Sequence, residues 1–165
     1  MSEITTEKEA LAAVRQIGTA LQLVSKNLRT AELCLEAVRQ CGWALKHVPE
    51  NLKMAELCLD AVKENGMVLE HVPENLKMAE LCLVAVKQEG LALEYVPLNL
   101  KTAELCHEAV NQQYGMALRY VPENLKTVEL CLKAANNMLE KILVNILEVP
   151  KGLREEVRDR IRSGG

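Results

Sequence analysis

Cysteine and histidine are the side chains with the most chemistry to offer in this chain, six of the first and three of the second in 165 residues. Cys34, Cys58, Cys82, Cys106 and Cys131 recur at intervals of 24, 24, 24 and 25 residues. A structural zinc needs thiolates that converge on one ion, usually from C-x-x-C spacing, and cysteines a whole period apart cannot share an ion. The column therefore reads as small buried hydrophobes, with no metal site and no disulfide framework expected. Cys41 stands outside the column and is expected to be the more exposed thiol.

His47 and His71 hold the place in the period that Tyr95 and Tyr120 hold later on. Each follows a large residue by four: Trp43, Met67, Leu91 and Met116 respectively. On one or two turns of α-helix each such pair shares a side. The eight side chains then form a two-column strip, which is either packing between neighbouring units or a groove for a peptide or helix, since aromatic and Met side chains serve as binding anchors. His107 has no acid, base or nucleophile arranged with it. The chain has no phosphate-binding glycine loop, nucleophile elbow or paired-carboxylate motif, so a non-catalytic protein without a cofactor is expected.

Two polar columns keep the same period. Asn27, Asn51, Asn75, Asn99 and Asn124 are expected to form a structural ladder, each amide exchanging hydrogen bonds with loop backbone of its own or the next unit. Arg29, Lys53, Lys77, Lys101 and Lys126 would make a basic stripe for phosphates. Glutamates 32, 56, 80, 104 and 129, three residues further on, are expected to neutralise it. With 20 basic and 23 acidic side chains and a formal charge of -3, the chain as a whole does not attract a polyanion.

The elements that carry these columns follow from the same period. Gly18, Gly42, Gly66, Gly90 and Gly115 keep the cysteine spacing, with one residue added near Tyr114, and Pro49, Pro73, Pro97 and Pro122 follow suit. In "TAELCLEAVRQCG", Thr30 reads as an N-cap, Glu32 sits in the first turn where the helix dipole favours it, and Gly42 reads as a left-handed C-cap. Met54 and Met78 in the cap position are poor caps. Leu33, Cys34, Ala37 and Val38 share one arc, which Ala31 and Leu35 widen to roughly 200°, enough for neighbours on two sides. "WALKHVP" supplies a short α or 3₁₀-helix with Ala44, Leu45 and Val48 inward, and "ENLK" returns the chain through Leu52. One such unit buries too little to offset its ordering entropy, so units must lean on their neighbours.

The ends depart from the pattern, as the ends of a stack must. Residues 1–29 read as a degenerate capping repeat in which Glu9 and Ala10 replace Leu and Cys and "TEKE" offers a capping box. Residues 30–131 are the regular repeats. Residues 132–165 read as capping helices: a longer one bearing Leu132, Leu139, Ile142, Leu143, Ile146 and Leu147 on one side, a break at Pro150 and Gly152, and a last helix with Leu153, Val157 and Ile161 inward. A homodimer through these helices is the alternative to a monomer. The hydrophobic content of 49% suits one folded domain over 1–165. With no signal peptide, no membrane span and six cysteines in no secretory pattern, a soluble cytoplasmic protein is expected.

The string "AELCLEAVRQCGWALKHVPENLK", repeated through about residues 30–135, resembles the tandem bacterial repeats grouped as domain of unknown function 4116. Its short period is similar to the leucine-rich repeat variant, in which α-helices and 3₁₀-helices alternate. That resemblance implies a right-handed solenoid and carries no catalytic residues. The sequence thus predicts an all-α solenoid of about five 24-residue repeats with a C-terminal helical cap. Its expected function is recognition of a protein or peptide through Trp43, His47, Met67, His71, Leu91, Tyr95, Met116 and Tyr120. A nucleic-acid-binding helical array and a consensus scaffold with no ligand are the rival readings.

Overall fold

The computed structural model describes residues 3–112, 115–137 and 149–163. They form an all-α helical-repeat solenoid in which a ten-residue α-helix alternates with a short 3₁₀-helix and a 3₁₀ turn; no β-sheet occurs among the described residues. The α-helices are α1 (Glu7–Gln16), α2 (Ala31–Gln40), α3 (Ala55–Glu64), α4 (Ala79–Gln88), α5 (Ala103–Gln112), α6 (Val128–Asn137) and α7 (Arg154–Ser163). The short helices are Gly18–Leu23, Gly42–His47, Gly66–His71, Gly90–Tyr95 and Met116–Tyr120. The chain divides into two compact units, Met1–Ala85 and Val86–Gly165.

Local sequence explains each boundary. Thr30 accepts a hydrogen bond from the Leu33 N–H at 3.3 Å, and Thr102 and Thr127 cap α5 and α6 in the same way. Met54 makes no such bond, so α3 starts at the same place without a side-chain cap. Valine before proline is driven into extended backbone, with Val48 at φ -73° and ψ 132°, so the short helix stops at His47. Pro49 then opens the turn that closes with Leu52 N–H donating to the Pro49 carbonyl at 2.9 Å.

In the N-terminal unit α2 packs between α1 and α3, and Gly42–His47 packs between Gly18–Leu23 and Gly66–His71. Long helices thus lie on long helices and short ones on short ones. Leu33, Cys34, Ala37 and Val38 of α2 meet Ala44, Leu45 and Val48 in the core, all buried, and the same positions are buried in α3 and its short helix. The buried arc is narrower than the roughly 200° expected. Ala31 is exposed and Leu35 half-buried, because both lie at the edge of the packed face. In the C-terminal unit α5 packs on α6, α6 on α7, and Gly90–Tyr95 on Met116–Tyr120.

The periodic glycines are not left-handed caps. Cys41, at φ -158°, ends α2, and Gly42 begins the short helix with ordinary φ. Glycine is needed there for close approach, since a Cβ on Gly42 would lie 2.6 Å from the Ala61 carbonyl oxygen of the next unit. Gly18 would meet the Ala37 carbonyl oxygen likewise. Gly115 is the exception. It follows the added residue, its N–H reaches back to the Val110 carbonyl at 3.1 Å, and its φ is +83°. The extra residue thus turns a packing glycine into one that also needs left-handed backbone.

Both termini carry contacts of their own. Ile4 pairs with Val24 in a single parallel bridge, through Ile4 N–H to Leu23 O at 2.8 Å and Ser25 N–H to Ile4 O at 2.9 Å. Thr6 accepts from the Glu9 N–H at 3.4 Å and donates its hydroxyl to the Glu9 carboxylate at 2.7 Å. At the other end, "VPKGLR" does more than break a helix. It is another copy of the "VPENLK" turn: Val149 is buried, Lys151–Leu153 is the 3₁₀ turn, and Arg154 Nε donates to the Val149 carbonyl as Arg29 Nε does to that of Val24. Of the side chains assigned to the last two helices, Val157 is buried, Leu132, Leu153 and Ile161 are half-buried, and Leu139, Ile142, Leu143, Ile146 and Leu147 lie outside the described residues.

Candidate functional site

The short helices are 3₁₀, with three residues per turn, so residues four apart on one of them do not share a side. Trp43 accordingly finds its ring partner in the next unit: its indole meets His71 edge-on, with centroids 5.7 Å apart and planes at 70°. Trp43 remains 37% exposed, while His47, Met67 and His71 are half-buried. Burial, together with the charges of Arg29 and Lys46, holds the His47 imidazole below its ordinary pKa. Burial also lowers His71, where Glu70 pulls the other way. In the C-terminal unit Leu91, Tyr95 and Tyr120 are half-buried and Met116 is exposed. A hydrogen bond with Glu94 raises the Tyr120 phenol above its usual pKa.

Beside His47 opens a groove of about 520 Å³ whose lining includes Lys26, Arg29, Lys46, Glu50 and Asn51. Lys26 and Lys46 are exposed. The Arg29 guanidinium is already engaged by three backbone carbonyls, those of Gln22, Val24 and His47. The groove is therefore polar and mildly basic.

The basic column is the internal ladder of the molecule. Its partners are not the glutamates three residues on. Lys53 and Lys77 bind Glu50 and Glu74, three residues earlier, each at 2.6 Å, and Lys126 binds Glu123 at 2.8 Å. The lysine side chains are only 6%, 6% and 5% exposed. Each ammonium has further donors to place. Lys53 gives one to the His71 carbonyl of the next unit at 3.0 Å, Arg29 one to the His47 carbonyl at 2.8 Å, and Lys101 one to the Tyr120 carbonyl at 3.1 Å. Leu98 stands where the turns of Lys53, Lys77 and Lys126 have glutamate, so Lys101 lacks that carboxylate and burial lowers its pKa.

The asparagines are exposed at all five positions, Asn27, Asn51, Asn75, Asn99 and Asn124, and among the described residues none of their side chains makes a hydrogen bond. The cross-unit bonds expected of them come instead from the basic column. The sequence signal was present, since an invariant cation two residues after the asparagine is as regular as the asparagine itself.

The column cysteines are buried, and burial pushes the Cys34 and Cys58 thiols up to about 11. Cys41 is half-buried, and all six cysteines are free thiols. Among the described residues no group of three His, Cys, Asp or Glu side chains is placed to hold a metal ion. No helix among them is long and apolar enough to cross a membrane.

Residues 10–53 and 56–101 each match the family described as Domain of unknown function (DUF4116), and together the two matches cover more than half of the chain. The chain belongs to this family. Each DUF4116 match spans about two of the 24-residue periods, so the family unit corresponds here to a pair of repeats. No curated protein and no solved structure matches the chain. Membership in DUF4116 fixes the repeat type and leaves the function to be argued from the surfaces.

Proposed function

We propose that this chain is a non-catalytic recognition scaffold that binds a protein or peptide through Trp43, His47, Met67 and His71 in the N-terminal unit and Leu91, Tyr95, Met116 and Tyr120 in the C-terminal one. The observation that carries the reading is Trp43. It is the only tryptophan of a chain that packs its core from Leu, Val, Ala and Cys, yet it stands 37% exposed. A large aromatic held by an edge-on contact and still open to solvent is the kind of anchor on which binding energy concentrates. Burial of Lys53, Lys77 and Lys126 withdraws the basic column from phosphate, which weighs against the nucleic-acid alternative. Six free thiols suit a reducing compartment.

The test is affinity capture with the full chain beside a Trp43→Ala, Tyr95→Ala, Tyr120→Ala variant whose fold is checked by circular dichroism. A partner retained by the parent and lost by the variant is the expected result. Equal recovery of every bound protein would dismiss the strip. Strong, salt-sensitive retention on heparin would favour nucleic acid instead.

A further inference from the structure

A second surface lies on the long helices. The cap position before α2, α5 and α6 holds Thr30, Thr102 and Thr127, each accepting a backbone hydrogen bond. The equivalent position in two successive repeats of the N-terminal unit holds Met54 and Met78 instead. Replacing a threonine cap weakens a helix, because an N-terminal backbone N–H loses its partner. Nothing in the core compensates, since the two methionines are 60% and 68% exposed. Two adjacent repeats thus exchange a stabilising polar group for a flexible apolar one that points into solvent.

Around these methionines the surface is acidic. Glu56 and Glu80 stand two residues after Met54 and Met78, exposed and without a cation partner among the described residues, as does Glu32 two residues after Thr30. Between α1 and α2 the same edge of the long helices forms a groove of about 430 Å³, lined by Leu11, Leu28 and Leu33 together with Glu7 and Glu32. Its one cation, Arg15, is held by Glu36 at 3.0 Å. The whole net charge of the chain belongs to this part: residues 1–85 carry twelve carboxylates against nine Lys and Arg, whereas residues 86–165 carry eleven of each.

We infer that the N-terminal edge of the long helices in the N-terminal unit, centred on Met54 and Met78 and rimmed by Glu32, Glu56 and Glu80, docks a basic amphipathic segment of a partner protein. Methionine is unbranched and polarisable, so it moulds to irregular apolar side chains. The free carboxylates meet Lys or Arg on the flanks of such a segment and set its orientation and rate of encounter. A second copy of this chain fits less well, because an isologous contact would bring the same carboxylates face to face. The surface is built from long-helix residues and does not depend on the aromatic strip.

Fluorescence anisotropy with a labelled amphipathic peptide, leucine on one face and lysine on the other, tests the inference against the full-length chain. The expected result is saturable binding that weakens with salt and is absent for the same peptide carrying glutamate in place of lysine. In a Met54→Thr, Met78→Thr variant the affinity falls at least about tenfold. Its melting midpoint rises at the same time, because the new threonines gain the cap bond that Thr30 makes, so lost binding is not lost folding. A Glu56→Gln, Glu80→Gln variant keeps the methionines, binds more weakly and shows a flatter salt dependence. No binding of the lysine peptide, equal binding of both peptides, or unchanged affinity in the methionine variant overturns the inference. So does sedimentation showing a dimer of the parent that the methionine variant loses, which would give the surface to a second copy.

Discussion

At the scale of single residues, a regular polar column means different things depending on where its side chains end. Lys53 buries its side chain and delivers its ammonium to Glu50 and the His71 carbonyl, whereas Asn75 is exposed. Lys53→Ala leaves a part-buried carbonyl without its donor and strips packing from the stem, and is expected to cost about 1–3 kcal/mol. Asn75→Ala is expected to stay within about 0.5 kcal/mol. Urea unfolding of the two variants checks this, and a larger loss for Asn75→Ala would return the ladder to the asparagines. Both columns were legible in the sequence as regular. Which one is internal was not, because period alone gives a residue's place in the unit and not the side chain's depth or reach.

At the scale of elements, the unit is decided by backbone approach as much as by apolar pattern. The long helix, its threonine caps and the inward residues of the short helix were all readable from spacing. The role of glycine was not, because a left-handed cap and a close contact ask for the same residue. Gly42→Ala would press a Cβ onto the Ala61 backbone, and a loss of about 1–3 kcal/mol is expected from the forced shift. Gly152→Ala, with no atom within 4 Å of the new Cβ, is expected to be neutral or to gain up to about 1 kcal/mol. Thermal unfolding of the pair separates the two, and equal midpoints would remove close approach as the reason for the periodic glycine. The same limit applies to the strip. Sequence placed Trp43 and His47 together by α-helical spacing, but a 3₁₀ turn sends them apart and brings Trp43 to His71.

At the scale of the molecule, each unit is stabilised by groups that belong to the next. The Lys53 donor, the Ala61 carbonyl against Gly42 and the Trp43 to His71 contact all cross from one period to another. Stability in such an array is approximately a sum of unit and interface contributions, with the unit alone unfavourable. A peptide spanning residues 31–54 is therefore expected to show no cooperative thermal transition by circular dichroism, while the full chain does. A cooperative transition in the peptide would show that the crossing contacts are not what holds the unit.

The sequence by itself determined the period, the helical class, the buried faces of α2 to α6 and the family, because each of these depends on residue type repeated at fixed spacing. It also placed the eight candidate binding residues in two positions of the period. Tertiary structure alone decided which polar column turns inward, what the glycines touch, that Ile4 pairs with Val24 and that "VPKGLR" is a further turn. These depend on distances between atoms of different repeats, and a repeating sequence specifies its neighbours' identities without specifying where their backbones come to lie.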